Sequence, residues 1–348
     1  MNTPQKTLSL LSVASLFFFS SLSAVETDPV GYVTQSVPAH SGTASTLSLH
    51  SLPLKPTAIF SGSTSDVTGA VLTVAGTDFS SGYPDLSAVD ANSEPLYYVE
   101  TSDGLRVDIT SVGTSDLTLS EDVEAAVADV TSISIKKYWT LEDVFGVASA
   151  SDLAASSNIS DVDKVYVADG AGSFNQYYIY QAPVFLGGGV NWAQIGQATT
   201  IDKSTARIPE GTALIVRVGS TVRDAFTFTN AGEVKLGADK SPVYEGINLV
   251  SFAYPVDTTL TASGLQEAGL TANSSVNLAD KVLVTENGTF KQYYLYQAPV
   301  FLGGGVSWAE VGQATSSDKG GETLTGAVIV LRGDAGDINW SQSQPFTL

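Results

Sequence analysis

Short apolar or alternating segments, separated by turn-forming residues, make up most of this chain. The segments are rich in Val, Thr, Tyr and Leu, and Gly, Ser and Asp stand between them. β-Branched and aromatic runs bounded by such turns are typical of strands joined by hairpins. The early part of the chain has four of these segments, at residues 71–76, 95–101, 105–112 and 116–119. They predict a small N-terminal β domain over residues 25–134.

The later part of the chain predicts more deeply buried strands. Residues 213–218 and 328–332 are almost wholly apolar, which is typical of a central strand covered on both faces. Strand-turn-strand units are predicted at residues 163–174 and 280–290, where a glycine-containing turn divides two runs of strand-forming residues. A further hairpin is predicted at residues 226–236.

An internal duplication organises this later part. Residues 174–203 recur at residues 290–319, with 23 of 30 positions identical. Self-similarity of this kind is the signature of a structural module copied in tandem rather than of one active site. Each copy is predicted to be β-rich with a short helix, and Thr140 is placed to cap the first helix. We therefore predict a mainly β fold, in which the N-terminal domain is followed by repeats at 135–243 and 244–348 that pack as one unit.

The N-terminal residues predict export. Lys6 precedes an uncharged run rich in Leu and Phe, residues 7–22, and small residues follow at Ser23 and Ala24. The run is shorter than the roughly 20 apolar residues that a membrane-spanning helix needs, and its order is that of a secretory signal. We predict a signal peptide at residues 1–24 and no transmembrane segment after its cleavage. The mature protein is then periplasmic, extracellular or held at the cell surface.

Charge and cysteine content narrow the classes of partner. The chain has 36 acidic and 16 basic residues, a formal net charge of −20. A field of this sign repels phosphate backbones, so nucleic-acid binding is not expected. The chain has no cysteine, which excludes disulfides, thiolate metal sites and cysteine nucleophiles. The stability of the exported chain therefore has to come from packing.

Repeated aromatic residues are the strongest candidates for a ligand-binding surface. Flat rings offer a large contact area at low conformational cost, which suits polysaccharide or protein partners. In a strand, alternate residues share a face, so Tyr177 points away from its two neighbouring tyrosines. Core packing is therefore the alternative for at least one set of rings. The candidates are Tyr178, Tyr180, Trp192, Tyr294, Tyr296 and Trp308.

Two further repeated features suggest chemistry more weakly. The glycine triplets 187–189 and 303–305 lack the residues that complete a phosphate-binding motif, which favours tight loops with positive φ angles. Asp161 and Asp163 have a spacing that calcium sites use, but the second copy has Leu278 in place of Asp161 and no calcium-loop motif is present. Calcium is thus considered without the support of a motif, and no other cofactor is expected.

Catalytic constellations are sparse. The two histidines, His40 and His50, lie outside the repeats, and neither a nucleophile elbow nor a zinc-protease motif occurs. The paired carboxylates of a glycoside hydrolase stay an alternative, because 36 acidic residues offer many pairs whose separation cannot be read from the sequence. We expect no enzyme activity, since neither copy has a histidine to serve as an acid-base partner.

Several short motifs, in a fixed order, resemble those of a known family. Together they cover the mature chain, and they resemble an uncharacterised, paralogue-rich family of secreted proteins from Verrucomicrobia-type bacteria. The resemblance implies export and many variants of one fold, and it supplies no catalytic residues. The motifs are DPVGYV at 28–33, YWTL at 138–141, the two DKV hairpins, EGINLVSFAYPVDTTL at 245–260 and NW at 339–340.

These features favour an exported, non-enzymatic structural or adhesive protein of the cell surface or extracellular matrix. Its expected partners are polysaccharides or other surface proteins. A carbohydrate-binding protein that uses the repeated Tyr and Trp residues is the main alternative, and a carboxylate-dependent glycoside hydrolase is a less favoured one.

Overall fold

The fold is built mainly from β-strands. The computed structural model describes residues 29–40, 46–169, 173–219, 222–286, 289–333 and 336–345. Strands account for 45% of the chain and helices for 5%, which confirms the predicted mainly β fold class. The predicted signal peptide, residues 1–24, lies outside the described residues.

The first three strands belong to the sheets of the first repeat. They are β1 (Val30–Val37), β2 (Leu47–His50) and β3 (Leu54–Lys55). β1 and β3 flank a strand at residues 226–234, and β2 pairs with a strand at residues 214–217. The structure thus differs from the predicted N-terminal domain over residues 25–134. The N-terminal sheet begins at Phe60, because the chain before it completes sheets of the first repeat.

Seven antiparallel strands between residues 60 and 137 form the N-terminal sheet. They are β4 (Phe60–Ser63), β5 (Asp66–Thr68), β6 (Val71–Thr73), β7 (Tyr97–Thr101), β8 (Arg106–Val112), β9 (Asp116–Leu119) and β10 (Ser132–Lys137). Their order across the sheet is β4, β10, β7, β8, β9, β6, β5. The short helix α1 (Phe79–Gly82) and a 3-10 turn (Pro84–Ser87) place Phe79 and Leu86 in its apolar core. All four segments predicted from the early pattern contribute strands to this sheet.

The first repeat is built around a central sheet and one short helix. Its strands are β11 (Trp139–Thr140), β12 (Ala155–Ser156), β13 (Lys164–Ala168), β14 (Phe174–Gln181), β15 (Val190–Gln194), β16 (Arg207–Ile208), β17 (Leu214–Arg217) and β18 (Phe226–Val234). β13 lies between β14 and β17, and β15 pairs with the other side of β14. Thr140 caps the helix α2 (Leu141–Phe145) as predicted, because the side chains of Thr140 and Asp143 each accept a hydrogen bond from the backbone N–H of the other residue.

The second repeat has the same central strands in the same register. Its strands are β19 (Asp239–Val243), β20 (Gly246–Ser251), β21 (Thr258–Thr259), β22 (Lys281–Glu286), β23 (Thr289–Gln297), β24 (Val306–Glu310), β25 (Thr323–Leu324), β26 (Ala327–Arg332) and β27 (Ile338–Gln342). Tyr293 lies opposite Glu310 in the β23-β24 pair, as Tyr177 lies opposite Gln194 in the β14-β15 pair. β17 and β26 each have a strand on both sides, as their apolar sequences predict.

The predicted hairpin at residues 226–236 is wrong. These residues form β18, which pairs with β1 along its length and with β3 at its end. The Asn-Ala-Gly sequence inside β18 suggested a turn. However, a Cβ on Gly232 would stand 2.3 Å from the carbonyl oxygen of Lys55. The glycine is needed because another backbone passes close to the strand, and the chain does not reverse there.

Apolar side chains pack the two repeats against each other. A core of Ala213, Leu249, Ala327 and Ile329 draws on strands of both repeats, and residues of β2, β13 and β22 pack around it. The backbone N–H of Ala213 also donates to the carbonyl of Leu249 at 3.1 Å. This apolar core and this hydrogen bond connect residues of the first repeat with residues of the second.

Candidate functional site

The two repeated tryptophans are core residues. Trp192 and Trp308 are 0% and 1% exposed, and each lies in the main apolar core of its repeat. A ring with no exposed face offers nothing on which a sugar or a protein can stack. The prediction that these two residues bind a ligand is therefore corrected, because alternation along β15 and β24 points them into the core.

Each repeat has two of the four repeated tyrosines in a small apolar cluster. Tyr178 and Tyr294 are buried, whereas Tyr180 and Tyr296 are half-buried. Tyr178 lies outside the main core of its repeat, while Tyr177 points into that core from the opposite face of β14. The expected alternation is therefore present. Of the six predicted aromatic residues, only Tyr180 and Tyr296 are not buried.

The two carboxylates considered for calcium accept hydrogen bonds from other groups of the protein. Asp163 is buried and accepts hydrogen bonds from the N–H groups of Ala154 at 2.8 Å and Gly219 at 3.0 Å. Asp161 accepts from the side-chain amide of Asn158 at 2.8 Å. Among the residues that the structure describes, no three His, Cys, Asp or Glu side chains come together as a metal site needs.

Two apolar loops with identical sequences project from the repeat sheets. We call them the twin loops: residues 182–189 follow β14, and residues 298–305 follow β23. In each loop a 3-10 turn follows a proline and ends at a glycine in the left-handed region, with φ 101° at Gly187 and 99° at Gly303. Each loop is closed by a hydrogen bond from its first N–H to its last carbonyl, at 2.8 and 2.9 Å. This backbone presents the middle of the loop to solvent.

The tips of the twin loops are almost fully exposed. Val184 and Phe185 are 90% and 85% exposed, and Val300 and Phe301 are 91% and 85% exposed. No charged residue lies within eight sequence positions of either tip, although 15% of the chain is charged. Burying a tip against a partner therefore removes apolar surface from water, and no neighbouring charge along the chain has to be desolvated.

An open groove with polar and apolar side chains in its walls lies beside β1. We call it the β1 groove, and it has a volume of about 840 Å³. It is bounded by β1, β2 and the segment that follows β20, and Tyr32, Leu47 and Val256 are exposed along it. Exposed apolar surface of this kind is typical of an interaction site.

A polar cleft lies where the N-terminal sheet meets both repeats. We call it the central cleft, and its volume is about 490 Å³. Arg207 stands 4.8 Å over the ring of Tyr138 and donates to Asp108 at 2.8 Å, while the Tyr138 hydroxyl donates to Asp108 at 2.6 Å. Burial and the nearby Asp108 raise the pKa of Tyr138, so this hydroxyl keeps its proton. The charged residues that line the cleft are Asp90, Glu94, Arg106, Asp108, Glu121, Asp169, Arg207 and Glu210.

A buried ion network joins the N-terminal sheet to the repeats beside this cleft. Lys55 Nζ lies 2.6 Å from a Glu210 oxygen and 3.4 Å from an Asp239 oxygen. Burial alone raises the pKa of Asp239, but Lys55, Arg106 and Lys235 lower it to about 2. The carboxylate therefore stays ionised inside the protein. The network consists of Lys55, Glu100, Arg106, Lys136, Glu210, Glu233, Lys235 and Asp239.

Neither the loop tips nor the central cleft was among the sites predicted from the sequence, for different reasons. The sequence contained a signal for the tips, because residues 181–190 and 297–306 are identical although they include a surface loop. The cleft had none, because Asp90, Arg207 and Tyr244 come from segments far apart in the chain. Only folding brings them together.

Comparisons with known proteins identify no relative of this chain. No protein-family model, curated protein or solved structure matches this chain. Over the described ranges, none of the helices has the length and apolar character needed to cross a membrane. The resemblance to a secreted family therefore stays a prediction.

Proposed function

We propose that the protein is an exported, non-enzymatic structural or adhesive protein that assembles with further copies of itself. The observation that carries this proposal is the exposure of the Val-Phe tips of both twin loops. A side chain that is 85% exposed contributes little to the packing of its own chain. Exposed apolar tips on an otherwise acidic chain therefore favour contact with another molecule.

The β1 groove of a second copy is the acceptor that we propose for a tip. Its volume of about 840 Å³ is sufficient for one Val and one Phe side chain, since pockets of roughly 300–1,000 Å³ enclose whole small ligands. Tyr32, Leu47 and Val256 supply the apolar contact surface. Loop and groove are different surfaces of the chain, so the contact is heterologous and need not close into a ring.

The number of binding surfaces sets the form of the assembly. Each chain offers two loops and one groove, so one chain can contact three neighbours. Such a chain forms branched assemblies, whereas a chain with one working loop forms linear ones. Branched growth suits a structural component of a surface or matrix.

The net charge of −20 opposes contact between copies at low ionic strength. Salt screens this repulsion, because the Debye length falls from about 30 Å at 0.01 M to about 8 Å at 0.15 M. Assembly through uncharged loops should therefore strengthen as salt is raised. Assembly through ion pairs between copies would weaken instead.

Sedimentation velocity of the chain without residues 1–24, at rising protein concentration, tests the proposal. We expect the wild type to form larger species in high salt. Val256→Glu should stay monomeric, because it replaces one of the three exposed apolar side chains of the groove with a charge that a docked tip would have to desolvate. Val130→Glu is the matched control, since Val130 is 76% exposed and lies outside the β1 groove and the twin loops. A wild type that stays monomeric throughout, or a Val256→Glu variant that assembles as the wild type does, would overturn the proposal.

A further inference from the structure

Two basic side chains lie opposite each other beside the β1 groove. Lys164 of β13 is the cross-strand partner of Arg217 of β17, and Arg217 is in turn the partner of Leu47 of β2. Cross-strand partners share one face of a sheet, with Cβ atoms about 4.5–5.5 Å apart. Leu47 is 38% exposed and lines the β1 groove. Arg217 therefore stands about 5 Å from this residue of the groove, and Lys164 about 10 Å from it.

No carboxylate among the described residues neutralises this basic pair. Both side chains are half-buried. Neither forms an ion pair or a side-chain hydrogen bond with another described residue, although most other basic side chains of that part of the chain lie beside a carboxylate. Burial and then the charge of Arg217 lower the pKa of Lys164. Like charges directly opposite each other destabilise a sheet, so an anion from another molecule would offset this cost.

The second repeat shows that the sheet does not require the pair. Lys281 takes the place of Lys164 in that repeat, but its cross-strand partner is Leu331. Lys281 also donates to the carbonyl of Ala279 at 3.3 Å, a bond that Lys164 lacks among the described residues. The two strand pairs have the same register with and without the arginine. Arg217 is therefore a feature of the first repeat that the packing of the sheet does not explain.

We infer that Lys164 and Arg217 hold a carboxylate of the second copy whose loop tip enters the β1 groove. The inference rests on the proposed loop-groove contact and names its electrostatic part. Charge complementarity identifies the partner, because a chain with 36 acidic and 16 basic residues presents a mostly anionic surface to the pair. At 0.1 M salt the Debye length is about 10 Å, so both cations act on a copy docked at the groove. The pair offsets part of the repulsion that the net charge of −20 creates.

A one-to-one complex isolates this contact from larger assemblies. The acceptor is the Phe185→Ser/Phe301→Ser variant, which keeps the groove and loses both tips. The donor is the Val256→Glu/Phe301→Ser variant, which keeps one tip and loses the groove. Calorimetric titration of donor into acceptor, at 0.1 M and at 1 M salt, gives the dissociation constant of a single loop-groove contact.

Arg217→Leu in the acceptor reproduces the arrangement of the second repeat and is the decisive variant. It should raise the dissociation constant about three- to fivefold at 0.1 M salt. At 1 M salt, where the Debye length is about 3 Å, the change should fall below about 1.5-fold. Lys164→Met in the acceptor should act in the same direction. The matched controls are Arg217→Leu in the donor and Lys281→Met in the acceptor, and each should stay within about 1.5-fold at both salt concentrations.

The outcomes separate this inference from the proposed function. If donor and acceptor do not bind at either salt concentration, the loop-groove contact fails and the inference fails with it. If they bind, and Arg217→Leu in a folded acceptor leaves the dissociation constant at 0.1 M unchanged, the inference alone is overturned. A loss of the same size at 1 M salt would also overturn it, because Arg217 would then contribute packing rather than charge. Circular dichroism confirms that each variant is folded.

Discussion

Replacing the tip phenylalanines with serine tests the contribution of each twin loop to assembly. Phe185→Ser and Phe301→Ser each remove the largest exposed apolar group of one loop. Complete burial of a Phe side chain is worth roughly 1.5–3 kcal/mol. Because 85% of each ring is available for burial, each substitution should cost a loop-groove contact about 1.3–2.5 kcal/mol. Since 1.4 kcal/mol is a factor of ten, the dissociation constant of that contact should rise roughly 10- to 70-fold.

The assay combines sedimentation velocity with light scattering in high salt. Each single variant keeps one loop and should form linear assemblies that are smaller than those of the wild type. The double variant should be monomeric at concentrations where the wild type assembles. Both rings are exposed in the monomer, so the free energy of unfolding should change by no more than about 0.5 kcal/mol. Val130→Ser, at an exposed site away from the loops, should change neither property.

Two results would refute this reasoning about the twin loops. If the double variant assembles at the same concentration as the wild type, the tips do not form the contact. If either single variant is as monomeric as the double variant, the two loops do not act as separate binding surfaces.

Two further predictions concern stability. Burial lowers the pKa of His50 from 6.5 to about 4. The stability that the neutral, buried His50 provides is therefore fully present above pH 6.5 and is lost as the pH falls through 4. The free energy of unfolding should drop by roughly 3 kcal/mol between pH 6.5 and pH 4. In urea titrations at a series of fixed pH values, His50→Gln should reduce this drop. A drop of the same size in the variant would show that His50 is not its cause. Lys55→Met removes the cation nearest to the buried Glu210 and leaves only the longer Arg106 pair at that carboxylate. It should destabilise the protein by roughly 3 kcal/mol. Lys240→Met breaks an exposed ion pair with Asp103 and should lower the free energy of unfolding by at most about 1 kcal/mol, measured by calorimetry. If Lys55→Met and Lys240→Met destabilised the protein equally, the buried network would not be the more important of the two for stability.

Features that depend on neighbouring residues were predicted correctly. The strands β6 to β9 follow from alternation, and the start of α2 follows from the capping pattern at Thr140 and Asp143. Features that depend on a distant partner were not. Val30 lies opposite Glu233, so no local pattern assigns β1 to a sheet of the first repeat. The same holds for Gly232, whose role depends on the backbone of Lys55.

The sequence by itself determined that the chain is mainly β and that residues 174–203 are repeated, because both depend only on the order of residues along the chain. Only the tertiary structure decided which repeated apolar residues face water. Trp192 and Phe185 both belong to the repeat, yet one is buried in a core and the other projects from a loop. The physical reason is that burial depends on what another segment places over a side chain. The loop tips are proposed as binding surfaces because no other segment of the chain covers them.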